Sequence, residues 1–101
     1  MAEITFGDKT FKYRSLMRKE IREQGLSDLG YGNHYFQTPQ NDDKTSIDEG
    51  KLEKGQEIVV NLCVDGGIDA VDAAGGNEAI LKIWQAIIAK TYCLPGEEKN
   101  S

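Results

Sequence analysis

The sequence predicts an α+β domain: an N-terminal β-hairpin packed on two or three helices, with a long central loop. Two short runs of alternating apolar residues surround a glycine turn at the N-terminus, and apolar residues recur at helical spacing near the C-terminus. A chain of 101 residues is too short for two independent cores. We therefore predict one domain over residues 1–96, with a mobile loop at about 25–51, and a disordered polar tail at 97–101.

The hairpin is predicted from residues 4–6 and 10–14, which alternate apolar or aromatic with polar side chains. A three-residue loop beginning with Gly7 would join the two strands. Ser15 is a suitable N-cap for a helix that would end before Gly25. The hairpin is thus expected to lead directly into a helix.

Residues 25–51 form the predicted central loop, because turn-forming residues are frequent and apolar periodicity is lost. Connections of this length are usually functional or disordered. The loop nevertheless contains Tyr31, Tyr35 and Phe36. Such an aromatic cluster either docks on the core or is available to a partner. We interpret these three residues as partner-binding.

Residues 52–64 fit a strand by their β-branched run and a helix by the spacing of their apolar residues. A helix is favoured, because charged residues precede the run and a glycine pair follows it. Residues 66–76 are then predicted as a glycine-framed connector. Asn77 would cap a final helix over residues 78–91.

Trp84 lies on the apolar stripe of the predicted final helix. Its position fits either core packing or an interface anchor. We add it to the candidate partner-binding residues, which are Tyr31, Tyr35, Phe36 and Trp84.

The charge balance makes nucleic acid an unexpected partner. Seventeen acidic and twelve basic residues give a net charge of −5, the wrong sign for neutralising phosphates. A basic cluster near the N-terminus is best interpreted as a solvated helix face, and it comprises Lys12, Arg14, Arg18, Lys19 and Arg22. Neither a secretory signal nor a membrane-spanning apolar stretch is evident, so we expect a cytoplasmic protein without membrane contact.

No catalytic, metal-binding or cofactor-binding constellation is predicted. Cys63 and Cys93 have apolar neighbours and are expected to be reduced core residues. His34 is the single histidine, and a Cys63–His34 dyad is the one nucleophilic arrangement available. The acidic residues at 42, 43, 48 and 49 lack the spacing of a calcium loop. The two glycine pairs lack the lysine of a phosphate loop.

Several local patterns together resemble the small tail assembly chaperones of long-tailed bacteriophages and prophages. These are the hairpin over residues 4–14, a leucine-led helix at Leu16, the 65–67 turn with Gly75, and a helix ending near Tyr92. The resemblance implies a non-enzymatic protein in the cytoplasm of a bacterial host. Such a protein binds the tape measure protein and recruits tail tube subunits. The aromatic loop at 31–36 lies outside the resemblance.

Two other classes of function stay open at this point. One is a small cytosolic regulatory or adaptor protein that binds a host factor through the loop aromatics. The other is an enzyme that uses Cys63 or Cys93. The residue patterns do not predict an oligomeric state.

Overall fold

The computed structural model describes residues 2–32, 34–43 and 45–93. Its order of elements is β1 (Ala2–Phe6), β2 (Lys9–Tyr13), α1 (Arg18–Glu23), a 3₁₀ helix (Leu26–Leu29), α2 (Glu49–Cys63) and α3 (Gly67–Thr91). This is the predicted α+β arrangement. The predicted polar tail at 97–101 lies outside the described residues.

The hairpin is antiparallel, with its register running from Ala2 opposite Tyr13 to Phe6 opposite Lys9. Lys9 is therefore a strand residue, and the turn has two residues instead of the predicted three. Gly7 has a φ of 62°, which a side chain would disfavour. One face of the hairpin turns toward the core, because Phe11 is buried and alternate residues of β1 are half-buried.

The C-terminal end of α2 covers part of the outer edge of β2. The N–H of Arg14 donates to the Cys63 carbonyl at 3.1 Å, and the N–H of Asp65 donates to the Lys12 carbonyl at 3.3 Å. These bonds surround a bridge between Tyr13 and Val64. The hairpin is thereby attached to α2.

The first helix is shorter than predicted, because it begins at Arg18 rather than after Ser15. The backbone N–H of Leu16 donates to the Thr91 hydroxyl at 2.9 Å, so this segment is tied to α3. The Glu20 carboxylate accepts from the Met17 N–H at 3.0 Å and satisfies a donor at the helix start. The expected end before Gly25 is confirmed.

The segment at 25–51 contains more regular structure than predicted. Leu26 and Leu29 of the 3₁₀ helix are buried in the core. Gln40 forms a bridge with Ile47, and α2 begins at Glu49, three residues before the predicted start. Asp48 caps α2 by accepting from the Lys51 N–H at 3.1 Å. Both ends of the predicted loop therefore belong to ordered elements.

The helix predicted over residues 52–64 is confirmed by α2, whereas the predicted connector at 66–76 is wrong. Residues 67–75 are helical, and the backbone departs from helical geometry at Gly76, where φ is 65° and ψ is −152°. Alanines favour the helix here, and Val71 is fully buried. Helix propensity and burial together outweigh the flanking glycines. The second part of α3 confirms the predicted final helix.

The core lies mainly between α2 and α3, with the hairpin packed against α3. Five aliphatic residues from these helices have no exposed surface: Val59, Val60, Val71, Ile83 and Ile87. The 3₁₀ helix that follows α1 packs against α2.

Candidate functional site

The aromatic residues predicted to bind a partner occupy two different environments. Tyr31, Phe36 and Trp84 form a contiguous aromatic cluster. The Phe36 ring lies 4.9 Å from the Tyr31 ring and 5.3 Å from the Trp84 ring, the latter edge-to-face. The indole N–H of Trp84 donates to the Tyr31 hydroxyl oxygen at 2.7 Å. The cluster thus satisfies a buried polar group while it packs.

Gly55 of α2 makes room for the Tyr31 ring. A Cβ at this position would lie 2.9 Å from Cε1 of Tyr31, which is too close for an unstrained contact. Burial also raises the pKa of the Tyr31 phenol. Sequence reasoning missed Gly55, although a lone glycine inside a helical pattern often indicates close packing.

We define the Tyr35 loop as the described residues 31–32 and 34–36, which begin and end with the bridged pair Tyr31 and Phe36. The N–H of Gly32 donates to the Tyr35 carbonyl at 3.1 Å and closes the turn. The Tyr92 hydroxyl donates to the Gly32 carbonyl at 2.9 Å, which attaches the loop to the end of α3. Both ends of the Tyr35 loop are therefore held by the folded protein.

Gly30 allows the chain to enter this loop. Its φ is 103°, and a Cβ there would overlap the Gln37 carbonyl oxygen. The Gln37 N–H donates back to the Gly30 carbonyl at 2.9 Å. A side chain at position 30 would therefore displace the strand-like pairing that supports the loop.

Tyr35 is the exposed member of the four candidate residues, with 65% of its surface accessible. Tyr31 and Trp84 are only 1% and 9% exposed, and Phe36 is half-buried. Of the two alternatives left open for the loop aromatics, Tyr31 and Phe36 dock on the core, whereas Tyr35 is available to a partner. For Trp84, the structure selects core packing from the two alternatives. The cluster holds the loop, and Tyr35 projects from it.

Three of the acidic residues after the Tyr35 loop, Asp42, Asp43 and Asp48, line an open, polar depression together with Asn41. The Asp43 carboxylate accepts from the Thr45 N–H at 3.0 Å, and this bond lowers the pKa of Asp43. Asp48 caps α2. Two of the acidic side chains thus have local structural roles. Across the described ranges, no three His, Cys, Asp or Glu residues are grouped to hold a metal ion.

The two cysteines differ in environment, and both are free thiols. Cys63 is buried, as expected, and burial raises the pKa of its thiol to about 12. The expectation that Cys93 is a core residue is wrong, because Cys93 is exposed. His34 is also exposed, in the bend of the Tyr35 loop.

Part of the predicted basic face is neutralised by ion pairs. Arg14 forms a bidentate pair with Glu20, with N–O distances of 2.8 and 2.7 Å, and donates to the Leu62 carbonyl at 2.9 Å. The hydrogen bond from Arg14 lowers the pKa of Glu20. Lys19 lies 3.8 Å from Glu23. Arg14 thus joins α1 to the end of α2.

Comparisons of this chain with models of protein families, with curated proteins and with solved structures gave no match. Among the described helices, none combines the length and apolar character needed to cross a membrane.

Proposed function

We propose that this protein is a non-enzymatic protein-binding module whose partner contact is centred on Tyr35. The observation that carries the proposal is an exposed aromatic side chain on a loop that is held at both ends. Tyrosine offers a large contact area and a hydroxyl group while losing few rotatable bonds on binding. Exposed aromatic residues of this kind frequently anchor protein interfaces.

The anchoring of the loop strengthens this proposal. Tyr31 and Phe36 pack against Trp84, and Tyr92 bonds to Gly32. A partner that binds Tyr35 therefore meets a loop whose conformation is already supported by the core. Binding then requires less ordering of the chain, which favours affinity.

Within this class, we propose a tail assembly chaperone that binds the tape measure protein and recruits tail tube subunits. The support is the resemblance described above, together with the presence of its N-terminal hairpin and C-terminal helix. The Tyr35 loop, which lies outside that resemblance, would supply the contact particular to this chain.

The test measures how well the Tyr35→Ala variant captures the tape measure protein. A tail assembly chaperone is expected to be encoded next to the long gene for that protein. Loss of an aromatic anchor costs about 2 kcal/mol or more, which corresponds to a roughly 30-fold weaker Kd. Thermal unfolding should remain close to that of the wild type, because Tyr35 is mostly exposed. Met17→Ala is the matched control, since Met17 is 59% exposed and lies outside the loop.

Unchanged capture by Tyr35→Ala would refute the assignment of the contact to this loop. Absence of any tape measure gene nearby would count against the chaperone. If the wild type captures a host protein rather than the tape measure protein, and Tyr35→Ala no longer captures that host protein, the adaptor function is supported rather than the chaperone function.

A further inference from the structure

The outer edge of β1 presents backbone groups that point away from the hairpin. On β2, the Lys12 carbonyl and the Arg14 N–H bond outward to the end of α2. Inward and outward groups alternate along an antiparallel strand. Since Glu3 lies opposite Lys12 and Thr5 opposite Thr10, the N–H and C=O groups of Glu3 and Thr5 point outward on β1.

These outward groups have no backbone partner within the part of the chain that the structure describes. Both Glu3 and Thr5 are exposed. Edge strands are commonly protected by charged side chains, above all lysine, by proline or by a bulge. β1 contains neither lysine nor proline, Glu3 is its one charged residue, and its register with β2 is continuous across all five positions. Its edge is therefore open to another strand.

We propose that β1 pairs antiparallel with β1 of a second copy of this chain, which joins two hairpins into one four-stranded sheet. In this register, Glu3 lies opposite Thr5 of the second copy, and Ile4 lies opposite Ile4. The outward N–H and C=O groups of Glu3 and Thr5 on both strands are then satisfied. The half-buried residues Ala2, Ile4 and Phe6 continue one apolar face across the junction.

The charges on β1 select this register among the alternatives. The next register in one direction pairs Glu3 with Glu3 of the second copy. Like charges directly opposite each other destabilise a strand pair. A shift in the other direction places Glu3 opposite Gly7, which belongs to the turn and has a positive φ. Only the central register uses both outward residues of each strand.

Two features favour a second copy as the occupant. β1 is complementary to itself about Ile4, so both edges are satisfied by the same contact, as a two-fold symmetric interface requires. The pairing also extends a two-stranded sheet, which packs against α3, to four strands, a common sheet size in folded domains. Each copy carries a net charge of −5, so salt should strengthen the association by screening repulsion.

The test compares Thr5→Pro with Thr10→Pro by sedimentation velocity over a range of concentrations. Proline lacks an N–H, so Thr5→Pro removes an outward donor from β1 and leaves the inner hydrogen bonds of the hairpin intact. Thr10→Pro is the matched control: it removes an outward donor from β2, and both variants lose the 3.0 Å contact between the two hydroxyls. Circular dichroism verifies that both are folded.

We expect a dimer for the wild type and for Thr10→Pro, and a roughly 30-fold or greater loss of association for Thr5→Pro. A wild type that stays monomeric at all accessible concentrations overturns the proposal. The proposal is also overturned if Thr5→Pro and Thr10→Pro are both folded and dissociate equally. A monomeric wild type whose partner capture is lost in Thr5→Pro assigns this edge to a strand of the partner instead.

A second measurement tests the register and does not depend on proline. Ile4→Cys in a Cys93→Ser background should oxidise to a covalent dimer, because paired residues at this position bring their Cβ atoms within disulfide range. Thr10→Cys in the same background is the control and should form little dimer. Equal cross-linking of the two variants would contradict β1 pairing about Ile4.

Discussion

At the scale of single residues, the aromatic side chains divide between stability and recognition. Trp84 and Tyr31 are 53 positions apart in the chain and share a buried hydrogen bond. Tyr35, four residues from Tyr31, is mostly exposed. Neighbouring tyrosines in one loop should therefore respond to the same substitution in opposite ways.

Tyr31→Phe removes the acceptor of the Trp84 indole N–H and leaves that donor buried without a partner. We expect a loss of about 1–3 kcal/mol in the free energy of unfolding. Tyr35→Phe is the matched control and should change it by less than about 0.5 kcal/mol. Chemical denaturation monitored by tryptophan fluorescence measures both. Equal stability of the two variants would show that the hydrogen bond contributes nothing.

The two cysteines should differ in reactivity toward iodoacetamide. Cys93 is exposed and should be alkylated in the folded protein. Cys63 is buried, and its raised pKa of about 12 leaves almost no thiolate at pH 8. Mass spectrometry should therefore find one rapid adduct, which Cys93→Ser abolishes and Cys63→Ser retains. Rapid labelling of Cys63 under native conditions would contradict the burial described here.

At the scale of elements, two glycines in helices have opposite roles. Gly76 has a φ of 65° and a ψ of −152°, a conformation almost exclusive to glycine. Gly50 lies in the first turn of α2, where a Cβ would make an ordinary contact of 3.6 Å with the Asp48 carboxylate. The break in α3 thus depends on the backbone of one residue.

Gly76→Ala should destabilise the protein by about 1–3 kcal/mol, because alanine is strained in this conformation. Gly50→Ala should be neutral or stabilising by up to about 1 kcal/mol, because it restricts the unfolded chain. Thermal unfolding of the two variants measures the contrast. A Gly76→Ala protein as stable as the wild type would mean that α3 readily accepts helical geometry throughout.

The Arg14–Glu20 pair joins α1 to the end of α2 and should make stability depend on pH. The pKa of Glu20 is lowered in the folded protein, so the pair contributes fully above the unfolded pKa. Its contribution should be lost as the pH falls below the ordinary glutamate pKa and through the lowered pKa of Glu20, where the carboxylate becomes protonated.

Glu20→Gln should remove this part of the pH dependence. Its cost at pH 7 should lie between the ~0.2–1 kcal/mol of an exposed pair and the ~1.5–3 kcal/mol of a charged hydrogen bond, because both side chains are only partly exposed. Glu23→Gln, at the exposed pair with Lys19, is the control. Identical pH profiles for both variants would count against a stabilising role for Glu20.

At the scale of the whole molecule, charge is the property that most constrains partners. The net charge is −5, and ion pairs engage Arg14, Lys19 and Lys82. The acidic net charge opposes the approach of a nucleic acid, whose binding depends on the release of counterions by basic side chains.

We expect no retention of duplex DNA in a mobility-shift experiment at low salt. A basic DNA-binding protein run in parallel serves as the positive control. Retention that weakens steeply as salt is added would show a positive surface strong enough to outweigh the net charge.

The sequence by itself determined the elements whose signals are local. The hairpin follows from alternation about Gly7, and the second part of α3 follows from apolar spacing. For α2, the charged residues before its apolar run and the glycine pair after it decided between helix and strand. The acidic charge balance is also a property of composition alone. These signals act over a few residues, so they can be interpreted without knowing what lies nearby in space.

Tertiary structure alone decided which aromatic residues are buried and where α3 begins. Tyr31 is buried because Gly55 and Trp84, distant in sequence, provide space and a hydrogen-bond donor. Residues 67–75 are helical because the burial of Val71 adds to the helix propensity of the local alanines, although glycines flank the segment. Both outcomes depend on contacts between remote parts of the chain, and local propensity is too weak to predict them.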